Sequence, residues 1–245
     1  MTISHAIITR GGWNEDVISM FCHWMSTAPE EAYFVDVGAY VGTVAIGVAA
    51  CGYSVFAFEP HAANFNFLQE SIALNPSYSS QIWPYQKALG NTTGTTCVSA
   101  SSSDQSNARI VPGRGTSVDY QCPQGIVPIT TLDEVTKNFQ IWAINIDAQG
   151  FDPAVIAGAW KHLSGKTPPR YIRFKVETGM YNWQTLNTEL NLEDILRGMQ
   201  DLGYSLRDED NDIIVNVKQH LLNVGHFATY MTAVYHGRPE GRSGG

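Results

Sequence analysis

The sequence predicts an α/β fold with a mostly parallel sheet, helices on both faces and an antiparallel edge. Short apolar stretches alternate with segments of helical periodicity over most of the chain, which favours parallel strands joined by helices. The last apolar stretches follow one another without a helix between them, which indicates an antiparallel edge. The length of 245 residues suits a single domain of this class.

The first part of the chain alternates strands and helices regularly. In residues 60–74 the apolar side chains recur at i, i+3 and i+7, which is typical of a helix with one buried face. Asn75-Pro76 ends this helix, because the residue before a proline avoids the helical conformation. The predicted strands here are 33–37, 54–58 and 82–88, and the predicted helices are 15–25, 43–51 and 60–74.

Residues 91–128 interrupt this alternation. They are rich in Ser, Thr, Gly and Gln, and residues 99–107 approach low complexity. We expect a surface loop, a pair of irregular strands or a lid over a site, because long irregular loops in compact domains are often functional. The domain is predicted to span 31–237, after a helical N-terminal segment (1–30) and before a disordered tail (238–245).

Regular structure resumes at Ile129. A hydroxyl followed by acids predicts a short capped helix at 130–135. A proline in the first turn predicts a helix at 152–162, and Gly203 is suited to end a helix at 192–202. The remaining predicted strands are 141–146, 171–176, 204–207, 213–217 and 228–235.

The chain is acidic, with 15 Lys and Arg against 23 Asp and Glu and a net charge of −8. An acidic surface repels phosphate backbones, so we expect no nucleic-acid partner. Residues 37–58 carry no charge and are long enough to cross a bilayer, but four glycines at turn-like places favour strand, helix and strand instead. The N-terminus lacks the basic and apolar parts of a signal peptide, so a cytoplasmic location is expected.

The four cysteines form no C-x-x-C pair and have no histidine at metal-ligand spacing. Cys51 lies in an apolar stretch and is predicted to be a core thiol. Cys97 and Cys122 flank a polar region, where a disulfide is the alternative to the free thiols of a reducing compartment.

The segment Asp36-Val-Gly-Ala-Tyr-Val-Gly42 follows the first strand and opens a helix. In an open α/β sheet, ligands bind beyond the carboxyl ends of the strands. Gly38 suits a tight turn, Gly42 allows close approach of the next helix and of a ligand, and the helix N-terminus offers free N–H groups. The pattern predicts a nucleotide-type cofactor site, although glycines that only pack a helix on a strand would look similar.

The second strand ends in Glu59-Pro60, and a carboxylate there can accept hydrogen bonds from both hydroxyls of a ribose. Nicotinamide enzymes place an acid at a similar distance from their glycines, so Glu59 alone does not discriminate between cofactors. The spacing Gly38-x-x-x-Gly42 lacks the middle glycine of a dinucleotide loop and favours a smaller nucleoside. A nicotinamide-dependent oxidoreductase is therefore the weaker alternative.

Together with Lys87-Ala-Leu-Gly90, Thr130-Thr-Leu-Asp133 and Ile146-Asp-Ala-Gln-Gly150, these motifs resemble the FkbM family of methyltransferases over residues 34–177. The resemblance implies a Rossmann-like class I methyltransferase fold and S-adenosylmethionine as cofactor, with S-adenosylhomocysteine as product. It also implies O-methylation of a sugar or natural-product hydroxyl. The expected cofactor-binding residues are Asp36, Gly38, Ala39, Tyr40, Gly42, Thr43, Glu59, Pro60, His61, Ala88 and Asp147.

The sequence departs from the family pattern Lys-Ile-Asp-x-Glu-Gly at two positions, where it has Asn145 and Gln149. Loss of a lysine and an acid changes the charges near the acceptor, so either the substrate or the catalytic detail differs. A non-catalytic S-adenosylmethionine-binding module is the alternative function.

Asp147, Glu177 and His226 are the candidate catalytic residues, because a base assists transfer to a hydroxyl by about 10² to 10⁴-fold. Asp147 and Glu177 end neighbouring strands and could instead hold a divalent metal, but no third ligand is indicated and no metal site is predicted. Tyr181 and Trp183 follow the fifth strand and are candidates for stacking on the acceptor. The sequence leaves open the oligomeric state and which small molecule or carbohydrate is the acceptor.

Overall fold

The structure, a computed structural model, describes residues 13–100, 108–111, 122, 125–177, 190–224 and 228–238. The strands are β1 (Ala32–Val37), β2 (Ser54–Phe58), β3 (Ile82–Tyr85), β4 (Ala88–Leu89), β5 (Gly94–Ser99), β6 (Arg109–Val111), β7 (Ile126–Thr130), β8 (Gln140–Ile146), β9 (Tyr171–Glu177), β10 (Tyr204–Arg207) and β11 (Ala228–Tyr235). The helices are α1 (Glu15–Met25), α2 (Thr43–Ala50), α3 (Ala62–Ala73), α4 (Leu132–Val135), α5 (Asp152–Ala157), α6 (Trp160–Ser164), α7 (Leu192–Asp201) and α8 (Val217–Val224).

Seven strands form the main sheet, in the order β3-β2-β1-β8-β9-β11-β10. All are parallel except β11, which runs antiparallel to both β9 and β10. This confirms the predicted mostly parallel α/β sheet. The antiparallel strand β11 is second from the edge of the sheet. The edge strand, β10, runs parallel to the other strands.

The two faces of the main sheet bury separate apolar clusters. Helices α1, α2 and α3 cover one face through side chains such as Phe21, Val48 and Leu68. Helices α5, α6 and α7 cover the other with side chains that include Val155 and Leu196. Helices therefore lie on both faces, as the alternation of strands and helices predicts. In a sheet covered in this way, ligands bind at the carboxyl ends of the strands, between the two helical layers.

Three predicted elements differ in the structure. The third strand ends at Tyr85 rather than 88, because Ala88–Leu89 pairs with β7 in a second sheet. The predicted strand at 213–217 is wrong: Ile213 makes a single bridge to Arg207, its side chain is exposed, and α8 follows. The predicted helix at 152–162 is two helices. They separate at Gly158, where an added Cβ would lie only 1.9 Å from the carbonyl oxygen of Gly90.

The second sheet has the order β4-β7-β5-β6 and is built largely from the polar segment. Within 91–128, the described residues form β5, β6 and most of β7, which agrees with the expectation of irregular strands. Residues 101–107 and 112–121 lie outside the described part of the chain. A lid function for this segment therefore stays a prediction.

All four cysteines are paired, as Cys22–Cys51 and Cys97–Cys122. The prediction of a core thiol at Cys51 is wrong, because this residue is exposed at the end of α2 and bonded to α1. The Cys97–Cys122 bridge, considered from the sequence, is present. The free thiols expected of a reducing compartment are therefore not observed.

Residues 37–58 form the end of β1, α2 and β2 rather than one long helix. Among the residues that the structure describes, no helix is both long enough and apolar enough to cross a bilayer. Most of the predicted tail, 239–245, lies outside those residues, as do residues 1–12.

Candidate functional site

The turn after β1 brings Gly38 against the end of β8. Gly38 has a φ of +82°, and a Cβ at this position would lie 2.1 Å from the carbonyl oxygen of Asp147. The backbone N–H groups of Gly38 and Ala39 donate to the carbonyl of Phe58 at 2.9 and 3.0 Å, and that of Asp147 donates to the carbonyl of Val37 at 2.9 Å. The ends of β1, β2 and β8 are therefore held together at one point, where only glycine fits.

The next turn leads into α2 and is held by α3 and by Glu59. Gly42 has a φ of +92°, and a Cβ there would lie 2.6 Å from Cδ1 of Leu68, so α3 packs directly on the turn. Tyr40 also has a positive φ, of 52°, which a non-glycine residue adopts only when its surroundings hold it. Its backbone N–H donates to Oε2 of Glu59 at 3.0 Å.

Glu59 is buried at the end of β2, with 4% of its surface exposed. Oε2 accepts the hydrogen bond from Tyr40, and Oε1 accepts one from the backbone N–H of His61 at 2.9 Å. Burial raises the pKa of Glu59 from 4.5 to about 7, against the lowering effect of these two hydrogen bonds and of a third from the side chain of Asn64. A carboxylate has about four acceptor positions, so the fixed Glu59 carboxylate can still accept a hydrogen bond from a ribose.

A cleft runs along the carboxyl edge beside this carboxylate. Its lining residues come from the ends of β1 and β2 and the turns after them, from α3, from β4 and β6 with the residue before each, and from the turn after β8. They are Val37, Gly38, Tyr40, Phe58, Glu59, Pro60, Asn64, Lys87, Ala88, Leu89, Ala108, Ile110, Asp147, Ala148 and Gln149. Apolar walls with a few fixed polar groups are typical of a small-molecule site.

The cleft includes six of the predicted cofactor-binding residues, namely Gly38, Tyr40, Glu59, Pro60, Ala88 and Asp147. The other five do not line it: Asp36, Ala39, Gly42, Thr43 and His61. Ile110 of β6 and Ala108 just before it were not predicted, because nothing in their local sequence indicates which distant surface that strand covers.

Asp36 lies buried beneath the Gly38 turn in a row of polar side chains. The strand register places Asp36 beside Asn145 and Asn145 beside Arg173. Nδ2 of Asn145 donates to Oδ1 of Asp36 at 2.9 Å, and Nη1 of Arg173 donates to Oδ1 of Asn145 at 3.4 Å. Burial raises the pKa of Asp36 to about 6, and the hydrogen bond from Asn145 opposes this shift.

Asp147 ends β8 on the same rim as Gly38 and is surrounded by donors. Oδ2 accepts a hydrogen bond from the hydroxyl of Tyr230 at 2.8 Å, and Oδ1 accepts one from Nε2 of Gln149 at 3.3 Å. Nζ of Lys175 lies 3.7 Å from Oδ1 and donates to Oε1 of Gln149 at 3.0 Å. Both oxygens of Asp147 are therefore engaged.

The two departures from the family pattern meet cations from the neighbouring strand. At 145, where the family pattern has lysine, Asn145 receives the guanidinium of Arg173, and Gln149 receives the ammonium of Lys175. Positive charge thus comes from β9 rather than from β8. The alternation Arg173-x-Lys175-x-Glu177, with apolar residues between, is the sequence signal that could have indicated this polar face.

Glu177 ends β9, and its Oε1 lies 3.5 Å from Nη2 of Arg109 on β6. Its Oε2 is buried and accepts no hydrogen bond within the described part of the chain. Glu177 does not line the cleft: it lies behind Gly150, where an added Cβ would be 3.3 Å from Oε2. Across the described ranges, no group of three or more His, Cys, Asp or Glu side chains could hold a metal. The third catalytic candidate, His226, and the stacking candidates Tyr181 and Trp183 lie outside the described residues.

Residues 36–206, most of the chain, match the family described as the Methyltransferase FkbM domain. The chain belongs to the FkbM family of S-adenosylmethionine-dependent methyltransferases. The match begins at Asp36 and ends within β10, so it contains the whole cleft. No curated protein matches the chain.

Two solved structures share the fold of this FkbM-family chain. The methyltransferase FkbM of Methylobacillus flagellatus KT superposes with a TM-score of 0.52 at 15% identity, covering 83% of this chain and 43% of that one. WbdD, in a co-crystal with the kinase inhibitor LY294002, gives 0.51 at 9% identity, covering 96% and 44% respectively. This chain thus spans less than half the length of either protein.

Proposed function

We propose that this chain is an O-methyltransferase that binds S-adenosylmethionine in the cleft and methylates a hydroxyl of a sugar or secondary metabolite. The observation that carries the proposal is the buried Glu59 carboxylate, fixed by the N–H groups of Tyr40 and His61 beside the glycine turn. Such an acceptor matches the two adjacent hydroxyls of an adenosine ribose. The family match supports the same cofactor.

The residues of the cleft fit this cofactor. Glu59 would hold the ribose, and apolar side chains such as Leu89 and Ile110 would contact the nucleoside. Asp147 would face the positively charged end. The bound cofactor supplies an already activated methyl group, so the chain must chiefly hold the acceptor oxygen in line and exclude water.

Glu177 is the stronger candidate for the base that takes the proton of the acceptor hydroxyl. Both oxygens of Asp147 are engaged by Tyr230 and Gln149, whereas Oε2 of Glu177 has no hydrogen bond among the described residues. Because Arg109 and Gly150 cover Glu177, this role requires the acceptor to displace the contact with β6. His226 stays a candidate from the sequence alone.

Binding and turnover test the proposal in two steps. Calorimetry should detect micromolar binding of S-adenosylhomocysteine and none of NAD. Transfer of a labelled methyl group should then be found in a screen of sugars and hydroxylated metabolites. Binding of NAD alone would contradict the proposal, and cofactor binding without transfer to any acceptor would favour the non-catalytic module.

Glu59→Ala tests the ribose contact directly. Hydrogen bonds to a charged acceptor contribute about 1.5–3 kcal/mol each, so affinity for S-adenosylhomocysteine should fall at least tenfold. Glu70→Ala is the matched control, because Glu70 is exposed on α3 and does not line the cleft. Equal affinities of the two variants would refute the assignment of Glu59.

A further inference from the structure

We infer that Tyr230 is a positioning residue for methyl transfer, acting through Asp147; this rests on the proposed function. Tyr230 lies on the antiparallel strand β11, opposite Lys175 of β9. Its hydroxyl donates to Oδ2 of Asp147 at 2.8 Å. It does not line the cofactor cleft, so its influence there passes through the carboxylate.

The tyrosine is itself held on two sides. The guanidinium carbon of Arg173 lies 3.5 Å from the centre of the ring, a cation–π contact that fixes the ring plane. The backbone N–H of Tyr230 donates to Oε1 of Glu209 at 2.8 Å. Burial raises the pKa of the Tyr230 phenol above its usual value, so the hydroxyl keeps its proton at neutral pH and remains a donor.

These contacts close a chain of polar side chains beneath the Gly38 turn. From Asp147 it runs through Tyr230 and Arg173 to Asn145 and ends at Asp36. Of the carboxylates at its ends, that of Asp36 belongs to β1 just before the Gly38 turn, and that of Asp147 belongs to the residue whose carbonyl packs on Gly38. A strand outside the cleft thereby sets the position of a side chain inside it.

The consequence for catalysis concerns the orientation of Asp147. Loss of the tyrosine hydroxyl leaves Oδ2 free to rotate, while Oδ1 keeps its contacts with Gln149 and Lys175. A displacement of about 1 Å near the reacting atoms can lower a rate by about a hundredfold. Binding of the ribose should be little affected, because Glu59 is held by its own hydrogen bonds from Tyr40 and His61.

Tyr230→Phe removes only the hydroxyl, and Tyr204→Phe is the matched control. The hydroxyl of Tyr204, on β10, donates to the carbonyl of Pro169 at 2.9 Å, away from the cleft. We expect kcat to fall about tenfold in Tyr230→Phe, with a much smaller change in affinity for S-adenosylhomocysteine, whose ribose would be held by Glu59. Tyr204→Phe should keep the kcat of the unmodified protein. An unchanged kcat in Tyr230→Phe overturns the inference.

A double-mutant cycle with Asp147→Ala, which removes the acceptor oxygens, shows whether the tyrosine acts through the aspartate. In the Asp147→Ala background, Tyr230→Phe should cause no further loss of kcat, whereas multiplied losses overturn the inference. The same cycle is measured by urea unfolding of the cofactor-free protein, where the double variant should lose less stability than the sum of the single variants. If the unmodified protein methylates no acceptor, the proposed function has failed. Additive losses of unfolding free energy would separately overturn the Tyr230–Asp147 coupling.

Discussion

At Gly38, the backbone conformation and the surroundings exclude a side chain for two separate reasons. The φ of +82° disfavours any residue with a Cβ, and the carbonyl of Asp147 occupies the space that a Cβ would need. That carbonyl belongs to backbone that is itself hydrogen-bonded to Val37, so it has little room to move. The close approach of β1 and β8 that forms one wall of the cleft depends on this single residue.

Gly38→Ala should therefore be far more damaging than Gly52→Ala. Gly52 has a similar φ of +95°, but nothing lies within 4 Å of an added Cβ. We expect Gly52→Ala to lower the free energy of unfolding by about 1 kcal/mol, the cost of a left-handed alanine. Gly38→Ala should lower it by about 3 kcal/mol or more and weaken binding of S-adenosylhomocysteine. Urea denaturation and calorimetry measure both effects, and equal losses would show that the contact with Asp147 is unimportant.

Among the elements, a disulfide joins α1 to α2, and a second one lies within the segment that forms the second sheet. Cys22–Cys51 joins α1 to the end of α2 across 29 residues, and Cys97–Cys122 holds β5 across 25 residues. The two bridges lie at different distances from the site. Cys97 pairs directly with Val111 of β6, a strand that lines the cleft, whereas α1 packs on α2 and lines no part of the cleft.

Removal of either bridge should destabilise the chain, but only one should change cofactor binding. Loops of this length predict a loss of about 3–4 kcal/mol for Cys22→Ser and for Cys97→Ser. Of the two variants, we expect only Cys97→Ser to weaken binding of S-adenosylhomocysteine, because this bridge anchors β5, the strand on which β6 pairs. Urea denaturation and calorimetry test this, after alkylation without reductant has shown no reactive thiol in the unmodified protein. Equal binding by both variants would argue against a role for β6 in the cleft.

Across the whole molecule, three buried carboxyl groups lie beneath the carboxyl edge of the sheet. Burial raises the pKa of Asp36 to about 6, of Glu59 to about 7 and of Asp152 to about 8. Asp152 is fully buried and accepts hydrogen bonds from the backbone N–H groups of Lys175 and Gly150, which tie α5 to β9. Each group therefore binds its proton more tightly in the folded chain than in the unfolded one.

This arrangement makes stability fall as the pH rises. For Glu59, unfolding lowers the pKa from about 7 to 4.5, so the stabilising contribution is complete below pH 4.5 and is lost as the pH passes 7. In the cofactor-free protein we expect Glu59→Gln to reduce the decline in unfolding free energy between these values. Glu70→Gln, at an exposed position, should leave it unchanged. Urea denaturation over a pH series measures the decline, and an identical slope in both variants would contradict the assignment.

The sequence by itself determined the order of most strands and helices, the glycine turn and the carboxylate after β2. These features depend on contiguous residues: periodicity indicates an element, and a glycine or an acid at its end indicates a turn or a ligand contact. Predictions from local sequence patterns were wrong where contacts with distant residues decide the structure. Ile213 had an apolar pattern but no strand beside it beyond one bridge, and Cys51 lay in an apolar stretch yet faced a cysteine on α1.

Only the tertiary structure decided which distant residues meet at the site. Tyr230 and Asp147 are 83 positions apart, and Arg109 and Glu177 are 68 apart. They come together because β11 inserts between β9 and β10 and because the second sheet packs over the carboxyl edge. Strand order follows from how whole elements bury their apolar faces, which is a property of the complete chain rather than of any segment.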